Sequence, residues 1–284
     1  MDVPQIETVA RQCEKHGEYQ AHRYTAKILS GCPTCREEAD AAERQQREAE
    51  AEARRKAARE QRVRTLLAES GLIGRQLRCT FDTYDAREPK QKQVLADCQA
   101  YMAQFQKGQE LPKNTLWLVG PAGTGKSHLG AAMVNHLINT HATPACIHTV
   151  VELIRMLRAT WNRSKTEARE SSWIDHADGS GHTEYAPEPE GENEIIERLG
   201  NCSLLVLDDV GADHGSAAGL VQLLEIVDLR YRLERPTVVL SNLMATELKA
   251  AMGPRLYDRL REGASVKTCD WKGRRGEFPT RATA

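Results

Sequence analysis

One glycine-rich stretch of the chain reads GPAGTGKS, occupies residues 120–127 and satisfies the pattern G-x-x-x-x-G-K-[ST]. Such glycines let the backbone curl so that successive N–H groups face a phosphate, and a helix that begins near Lys126 adds its positive dipole end. Lys126 is predicted to reach the β and γ phosphates of ATP, and Ser127 to bind Mg²⁺. The predicted nucleotide-binding residues here are Gly120, Pro121, Ala122, Gly123, Thr124, Gly125, Lys126, Ser127 and His128.

Two adjacent carboxylates, Asp208 and Asp209, follow the apolar run SLLVL. An acidic residue at a strand tip can hold the Mg²⁺ of a nucleotide, and its neighbour can orient the attacking water. We therefore assign Asp208 to Mg²⁺ and Asp209 to the water. A further apolar run, TVVLS, ends just before Asn242, whose amide could contact the γ-phosphate or the water.

Four potential metal ligands stand near the N-terminus in the pattern C-x2-H-x15-C-x2-C: Cys13, His16, Cys32 and Cys35. Two short-spaced pairs of thiolate and imidazole donors are what a tetrahedral Zn²⁺ ion requires. The pattern predicts a zinc module. The isolated cysteines are predicted to be small buried hydrophobic residues: Cys79, Cys98, Cys146, Cys202 and Cys269.

The net charge and the lack of long apolar stretches exclude some classes of protein. The chain has 284 residues and a formal net charge of −1, which excludes a protein that holds nucleic acid through overall basicity. No apolar stretch is long enough for a membrane helix, and the N-terminus lacks the basic start and apolar run of a secretory signal. We therefore expect a cytoplasmic protein without membrane contacts.

The composition divides the chain into three segments: a zinc module at 1–35, a charged helix at 36–69 and an α/β domain at 70–284. The middle segment contains no Gly or Pro, is rich in Ala and pairs opposite charges at i,i+4, so it is predicted to be a long helical linker. A partner-binding helix is the alternative. In the third segment, residues 175–194 are acidic and contain Gly and Pro, which predicts a disordered loop.

Short apolar runs that alternate with helical patterns must position the phosphate loop and the carboxylates. Runs at 115–119, 144–149, 203–207, 237–241 and 265–271 have strand length, and residues 94–105 have the periodicity of an amphipathic helix. Strands that alternate with helices indicate a parallel sheet covered on both faces. The phosphate loop and the carboxylates would then lie at strand ends.

A basic segment at 151–169 contains one aromatic residue among its positive charges. Such residues can hold single-stranded DNA, because the charges follow the phosphates while a ring stacks on a base. The candidate DNA-contacting residues are Arg155, Arg158, Trp161, Arg163 and Lys165. An ordinary amphipathic helix with a solvated basic face is the alternative.

The ordered motifs GPAGTGKS, LLVLDDVG, VVLSN and RLYDRL resemble the AAA+ ATPases of the helicase-loader and transposition-helper group, the DnaC-type and IstB-type proteins. The resemblance covers about residues 70–276 and includes the segment SGLIGRQLRCTFDTY, residues 70–84, which we call the lead-in segment. It implies an AAA+ P-loop NTPase domain with a five-stranded parallel sheet. It also implies that nucleotide is bound between adjacent subunits of a ring or spiral.

The resemblance further implies roles for single residues. Asn242 would be the first sensor, Arg259 the arginine finger supplied to the neighbouring subunit, and Arg275 the second sensor. Arg255 is the rival for the finger and Arg274 the rival for the second sensor. This chain departs from the family in its string KGRR and in an Asp-Asp pair where Asp-Glu is commoner.

These features favour an ATP-dependent loader that binds a replicative DNA helicase through its N-terminal region and single-stranded DNA through its ATPase domain. An IstB-type helper that acts on duplex DNA with a transposase is the second hypothesis. The zinc module and long linker favour the first, because they resemble a partner-binding head on a tether. An ATP-regulated adaptor without a role in DNA binding and a metabolic P-loop kinase are weaker alternatives.

Overall fold

The computed structural model describes residues 7–25, 27–106, 110–112, 115–161, 171–175, 181–185, 190–211 and 217–273. The chain divides into two compact units, Met1–Gln61 and Arg62–Ala284. Among the described helices, none combines the length and apolar character that would be needed to cross a membrane.

The first unit begins with an antiparallel hairpin of β1 (Thr8–Cys13) and β2 (Gly17–His22). Gly17 has a φ of 78°, a left-handed conformation that glycine adopts without steric cost as the chain leaves the turn. Helix α1 follows at Pro33–Glu69. The predicted charged helix is therefore present, and it begins early enough to include Cys35 in its first turn.

The C-terminal end of α1 belongs to the second unit. Val63, Leu66 and Leu67 are partly buried against the core of that unit, and Arg62 Nε donates a hydrogen bond to Ala142 O at 2.8 Å. The second unit thus starts at Arg62 and not at the boundary of residue 70 suggested by composition. The physical reason is that the helix gains apolar residues only from Val63 onward, and these residues pack against the core.

The second unit alternates helices and strands after a short 3₁₀ turn at Gly74–Arg78. In chain order the elements are α2 (Pro89–Met102), β3 (Leu116–Val119), α3 (Lys126–His141), β4 (Ala145–Thr149), α4 (Val150–Trp161), β5 (Ser171–Asp175), β6 (Gly181–Tyr185), α5 (Glu192–Asn201), β7 (Leu204–Asp208), α6 (Ala217–Arg232), β8 (Thr237–Ser241), α7 (Ala245–Met252), α8 (Pro254–Arg261) and β9 (Ser265–Thr268).

The main sheet has five parallel strands in the order β4-β7-β8-β3-β9, which confirms the predicted fold class. Both of its faces are buried. In β3, Leu116 and Leu118 join one apolar cluster while Trp117 joins the cluster on the opposite face. This alternation explains why the central strands are apolar at nearly every position, and it leaves polar side chains only at the strand ends.

The structure differs from the predicted disordered loop at 175–194. Strands β5 and β6 form an antiparallel hairpin, and α5 already begins at Glu192. The hairpin has a local cause, because the turn-forming sequence DGSG at 178–181 separates two stretches that contain β-favouring aromatic and branched residues. Residues 176–180 and 186–189 of the predicted loop lie outside the described residues.

Candidate functional site

The glycine-rich loop connects β3 to α3 and depends on backbone conformations that glycine permits. Gly120, Gly123 and Gly125 have φ values of 139°, 83° and 94°. At Gly120 a Cβ atom would lie 2.4 Å from Cys269 O, so a side chain there would collide with the segment that follows β9. The loop is thereby held close to the sheet and leads directly into the N-terminus of α3, the end of a helix that favours anions.

Lys126 is the first residue of α3, and its ammonium group turns back into the loop. Nζ donates hydrogen bonds to Gly120 O at 2.7 Å and to Pro121 O at 2.8 Å, and the residue is only 6% exposed. The cation is therefore held at the centre of the loop, within reach of any phosphate that the loop amides bind.

Three residues outside the motif brace the loop. Trp271 Nε1 donates to Thr124 O at 2.9 Å, and the Tyr84 hydroxyl donates to the same oxygen at 3.3 Å. Gly273 approaches from the C-terminal side, where an added Cβ would lie 2.4 Å from Ala122 O. Sequence reasoning did not single out these bracing contacts, because they come from segments far from the loop and follow no spacing rule.

The carboxyl ends of β7 and β8 place the predicted acidic and amide groups opposite the loop. The Ser127 side chain is hydrogen-bonded to Asp208, and Asn242 Nδ2 donates to Asp209 Oδ1 at 2.8 Å. Burial raises the pKa of Asp208, while the hydrogen bonds from Ser127 and from the Asp209 amide oppose that rise. Ser241 supports this arrangement by donating its hydroxyl to Val210 O.

A cleft of about 660 Å³ runs between these groups. It brings together most of the predicted nucleotide-site residues, and they are Ala122, Gly123, Thr124, Gly125, Lys126, Ser127, His128, Asp208, Asp209 and Asn242. The lead-in segment supplies a further wall with Arg75, Thr83 and Tyr84. The only sequence signal for this wall was the resemblance of residues 70–84 to the family.

The two candidate finger residues lie on α8, away from the cleft lining. Leu256 and Leu260 are the buried positions of this helix, while Arg255 and Arg259 are exposed one turn apart on its outer face. Arg259 Nε forms an ion pair with Asp228 Oδ1 of α6 at 2.8 Å. Arg274 and Arg275, the candidates for the second sensor, lie outside the described residues.

The candidate DNA-contacting residues are only partly described. Arg155 and Arg158 are exposed on α4, opposite the buried Leu153 and Leu157. Trp161 ends the helix, but its side chain is outside the described part of the structure, as are Arg163 and Lys165. The described part of 151–169 is an amphipathic helix with exposed arginines, which is compatible with both the DNA-binding interpretation and its alternative.

The four predicted metal ligands converge in the first unit. The donor atoms of Cys13, His16, Cys32 and Cys35 all lie within 4.8 Å of one another, and no other such cluster occurs among the described residues. The sulfurs of Cys13 and Cys35 are 3.5 Å apart, close to the separation of about 3.8 Å that two thiolates adopt around tetrahedral zinc. The donor set and its spacing fit a zinc ion.

The remaining ring nitrogen of His16 also has a partner. Nδ1 faces the three sulfurs at 3.3–3.8 Å, and Nε2 lies 3.0 Å from Glu38 Oε1. A carboxylate on the outer nitrogen of a histidine fixes its ring and tautomer, as is usual for histidines that bind metals. Hairpin and helix therefore both contribute to the cluster.

Two comparisons of the sequence with known proteins found similar chains. The family model described as parvovirus non-structural protein NS1 matches residues 37–163, which is less than half of the chain. The replicative helicase loader DnaC of Buchnera aphidicola subsp. Baizongia pistaciae is 28% identical over 211 residues, 74% of each chain.

Solved structures show the same fold. The crystal structure of the DnaC helicase loader matches with a TM-score of 0.54 and 18% identity over 69% of this chain and 99% of that chain. The replication initiator DnaA bound to AMPPCP and single-stranded DNA matches with a TM-score of 0.52 and 16% identity over 69% of this chain and 50% of that chain. The second unit thus has the AAA+ P-loop NTPase fold, and the chain is similar to the DnaC-type replicative helicase loaders.

Proposed function

We propose that this protein is an ATP-dependent loader of a replicative DNA helicase, acting in the cytoplasm. The observation that carries the proposal is the cleft, in which a phosphate loop, two carboxylates and an amide face one another. The similarity to DnaC over 74% of both chains supports helicase loading as the purpose of that ATPase.

The residues of the cleft have different roles in ATP hydrolysis. Lys126 and the loop amides bind the phosphates, and Asn242 orients Asp209 through their 2.8 Å hydrogen bond. Asp209 then positions the attacking water. Ser127 and Asp208 would hold Mg²⁺, which neutralises phosphate charge and favours the ionised form of Asp208. Arg259 would complete the site of a neighbouring subunit in a ring or spiral, because its helix does not line its own cleft.

Single-stranded DNA is the proposed nucleic-acid ligand, and the exposed arginines of α4 are its proposed contacts. Arg155→Ala should lower the slope of log K against log salt concentration by about 0.7, the loss of one phosphate contact on a single strand. Fluorescence anisotropy with a labelled oligonucleotide measures this slope, with Arg232→Ala of α6 as a control for an exposed arginine elsewhere.

The same titration distinguishes the alternative function. An unchanged slope in Arg155→Ala would remove that residue from the DNA site. Tighter binding of duplex than of single-stranded DNA would favour an IstB-type helper instead of a helicase loader.

We propose that the zinc cluster stabilises the N-terminal module and that this module binds the helicase. The purified protein should contain about one zinc per chain, held by Cys13, His16, Cys32 and Cys35. Cys32→Ser/Cys35→Ser removes two ligands and should abolish zinc binding and complex formation with the helicase, because a structural zinc supplies folding energy to so small a module. ATP affinity should stay unchanged, since the nucleotide cleft is built entirely from the second unit.

Elemental analysis and size-exclusion chromatography with the replicative helicase of the same cell provide the two measurements. Cys79→Ser is the control, because this cysteine lies outside the cluster. Protein prepared without chelators that contains no zinc would contradict the metal site. Normal complex formation by the double variant would contradict the assignment of the head to helicase binding.

A further inference from the structure

Arg259 is held by two residues of α6 in a defined geometry. Its Nε lies 2.8 Å from Asp228 Oδ1, and its guanidinium carbon lies 4.3 Å from the centroid of the Tyr231 ring. The Tyr231 hydroxyl in turn donates to Glu262 Oε2 at 2.7 Å, just after α8 ends. The guanidinium is therefore fixed both at one edge and over one face.

Asp228 contacts one edge of the guanidinium, and Tyr231 is its second partner. The ion pair uses Nε, whereas the terminal Nη groups form the fork that recognises a phosphate in a bidentate manner. The side chains of Arg259 and Asp228 are 44% and 41% exposed, so a second copy of the chain could reach the fork. Arg255, one turn earlier on α8, is exposed and makes no ion pair with any residue that the structure describes.

Contacts that restrict its side-chain rotamers favour catalysis by an arginine that acts on a neighbouring subunit. A free arginine side chain samples many rotamers, and ordering it at the moment of catalysis opposes the reaction. A carboxylate at Nε and a ring beneath the guanidinium plane restrict those rotamers before the subunits meet. An isolated surface ion pair, in contrast, has little effect on stability or activity.

We infer that Asp228 and Tyr231 are positioning residues that orient Arg259 for hydrolysis in the adjacent subunit. The inference rests on the proposed function, in which Arg259 is the finger. Helix α6, which follows the Asp208-Asp209 pair in the chain, then supplies both residues that orient the finger. Disturbing Asp228 should therefore impair the site of the neighbour and not the site of its own subunit.

Steady-state ATP hydrolysis of the full chain with single-stranded DNA tests the inference. Asp228→Asn should lower kcat about tenfold and leave KM for ATP unchanged, because the finger is misplaced while the nucleotide pocket is intact. Asp228→Glu should recover part of the loss. Glu225→Gln, which neutralises an exposed carboxylate on the same helix, should match the unmodified protein. Thermal melting verifies that each variant is folded.

Mixing experiments separate a positioning role from a general defect. Asp228→Asn protein mixed with Lys126→Ala protein should regain activity, because the second supplies an intact finger to the intact site of the first. Mixed with Arg259→Ala protein it should show no gain over its own low rate, since neither protein supplies a well-placed finger. Recovery with Arg259→Ala but not with Lys126→Ala would overturn the inference, as would kcat equal to that of Glu225→Gln. Normal hydrolysis by Arg259→Ala would instead show that the proposed finger itself is wrong.

Discussion

Lys126→Ala is expected to abolish ATP binding. Nζ is the cation at the centre of the phosphate loop, where it lies 2.7 Å from Gly120 O and is almost entirely buried. Its loss removes several charge-assisted hydrogen bonds to phosphate, each of about 1.5–3 kcal/mol, so the dissociation constant should rise by a factor of at least about 100. Isothermal titration calorimetry with ATP and with ADP measures the effect directly.

A matched control for this variant is Lys92→Ala. Lys92 is exposed on α2 and does not line the cleft, so its removal should leave both dissociation constants unchanged. Equal ATP affinity in Lys126→Ala and Lys92→Ala, with both proteins folded, would contradict the assignment of the phosphate site.

Asp209→Asn is expected to retain ATP binding and lose hydrolysis by a factor of about 100 to 1,000, because an amide neither accepts a proton nor polarises water as a carboxylate does. The backbone should tolerate this change, since Asp209 has a φ of 56° and asparagine adopts that left-handed conformation about as readily as aspartate. Nucleotide titration and phosphate release measure the two properties separately.

Asp85→Asn provides the control for charge removal within the same cleft. Asp85, which directly follows the lead-in segment, lines the same cleft, and its carboxylate pairs with Arg87 at 2.7 Å. Its turnover should stay close to that of the unmodified protein. Unchanged phosphate release by Asp209→Asn would remove the water-positioning role from Asp209.

The conformation of residue 209 also gives a reason for the Asp-Asp pair. A left-handed φ disfavours most side chains but is tolerated by aspartate and asparagine, whose short polar groups can form local hydrogen bonds. Here the Asp209 amide donates to Asp208 Oδ1 at 2.8 Å. The shorter carboxylate therefore suits the backbone of this strand tip, and the hydrogen bond from Asn242 holds it in place.

Much of the fold could be predicted from the sequence because its strands are buried on both faces. A strand such as Leu204–Asp208 reads as a continuous apolar run, and its polar end then marks the edge of the sheet. The hairpin of β5 and β6 could not be predicted in this way, since its acidic composition outweighed its turn signal. The number of strands came from the resemblance to a family, and the strand order β4-β7-β8-β3-β9 follows from no local pattern in the sequence.

The parts of the site that are formed by residues adjacent in the chain could be predicted. The phosphate loop and the Asp208-Asp209 pair are continuous in sequence, so their spacing identifies them. Trp271, which binds the loop through Thr124 O, and Asp228, which pairs with Arg259, come from distant segments. Contacts of this kind depend on tertiary packing, and a single sequence contains no periodic signal for them.

A helicase-loading assay tests most directly whether this protein is an ATP-dependent helicase loader. The measurement is strand unwinding by the replicative helicase of the same cell on circular single-stranded DNA coated with single-strand binding protein, with a short annealed strand as the reporter. Unwinding should require both this protein and ATP, and it should be lost with Lys126→Ala and with Cys32→Ser/Cys35→Ser. Unwinding that proceeds equally well without the protein, or with Lys126→Ala in its place, would contradict ATP-dependent helicase loading.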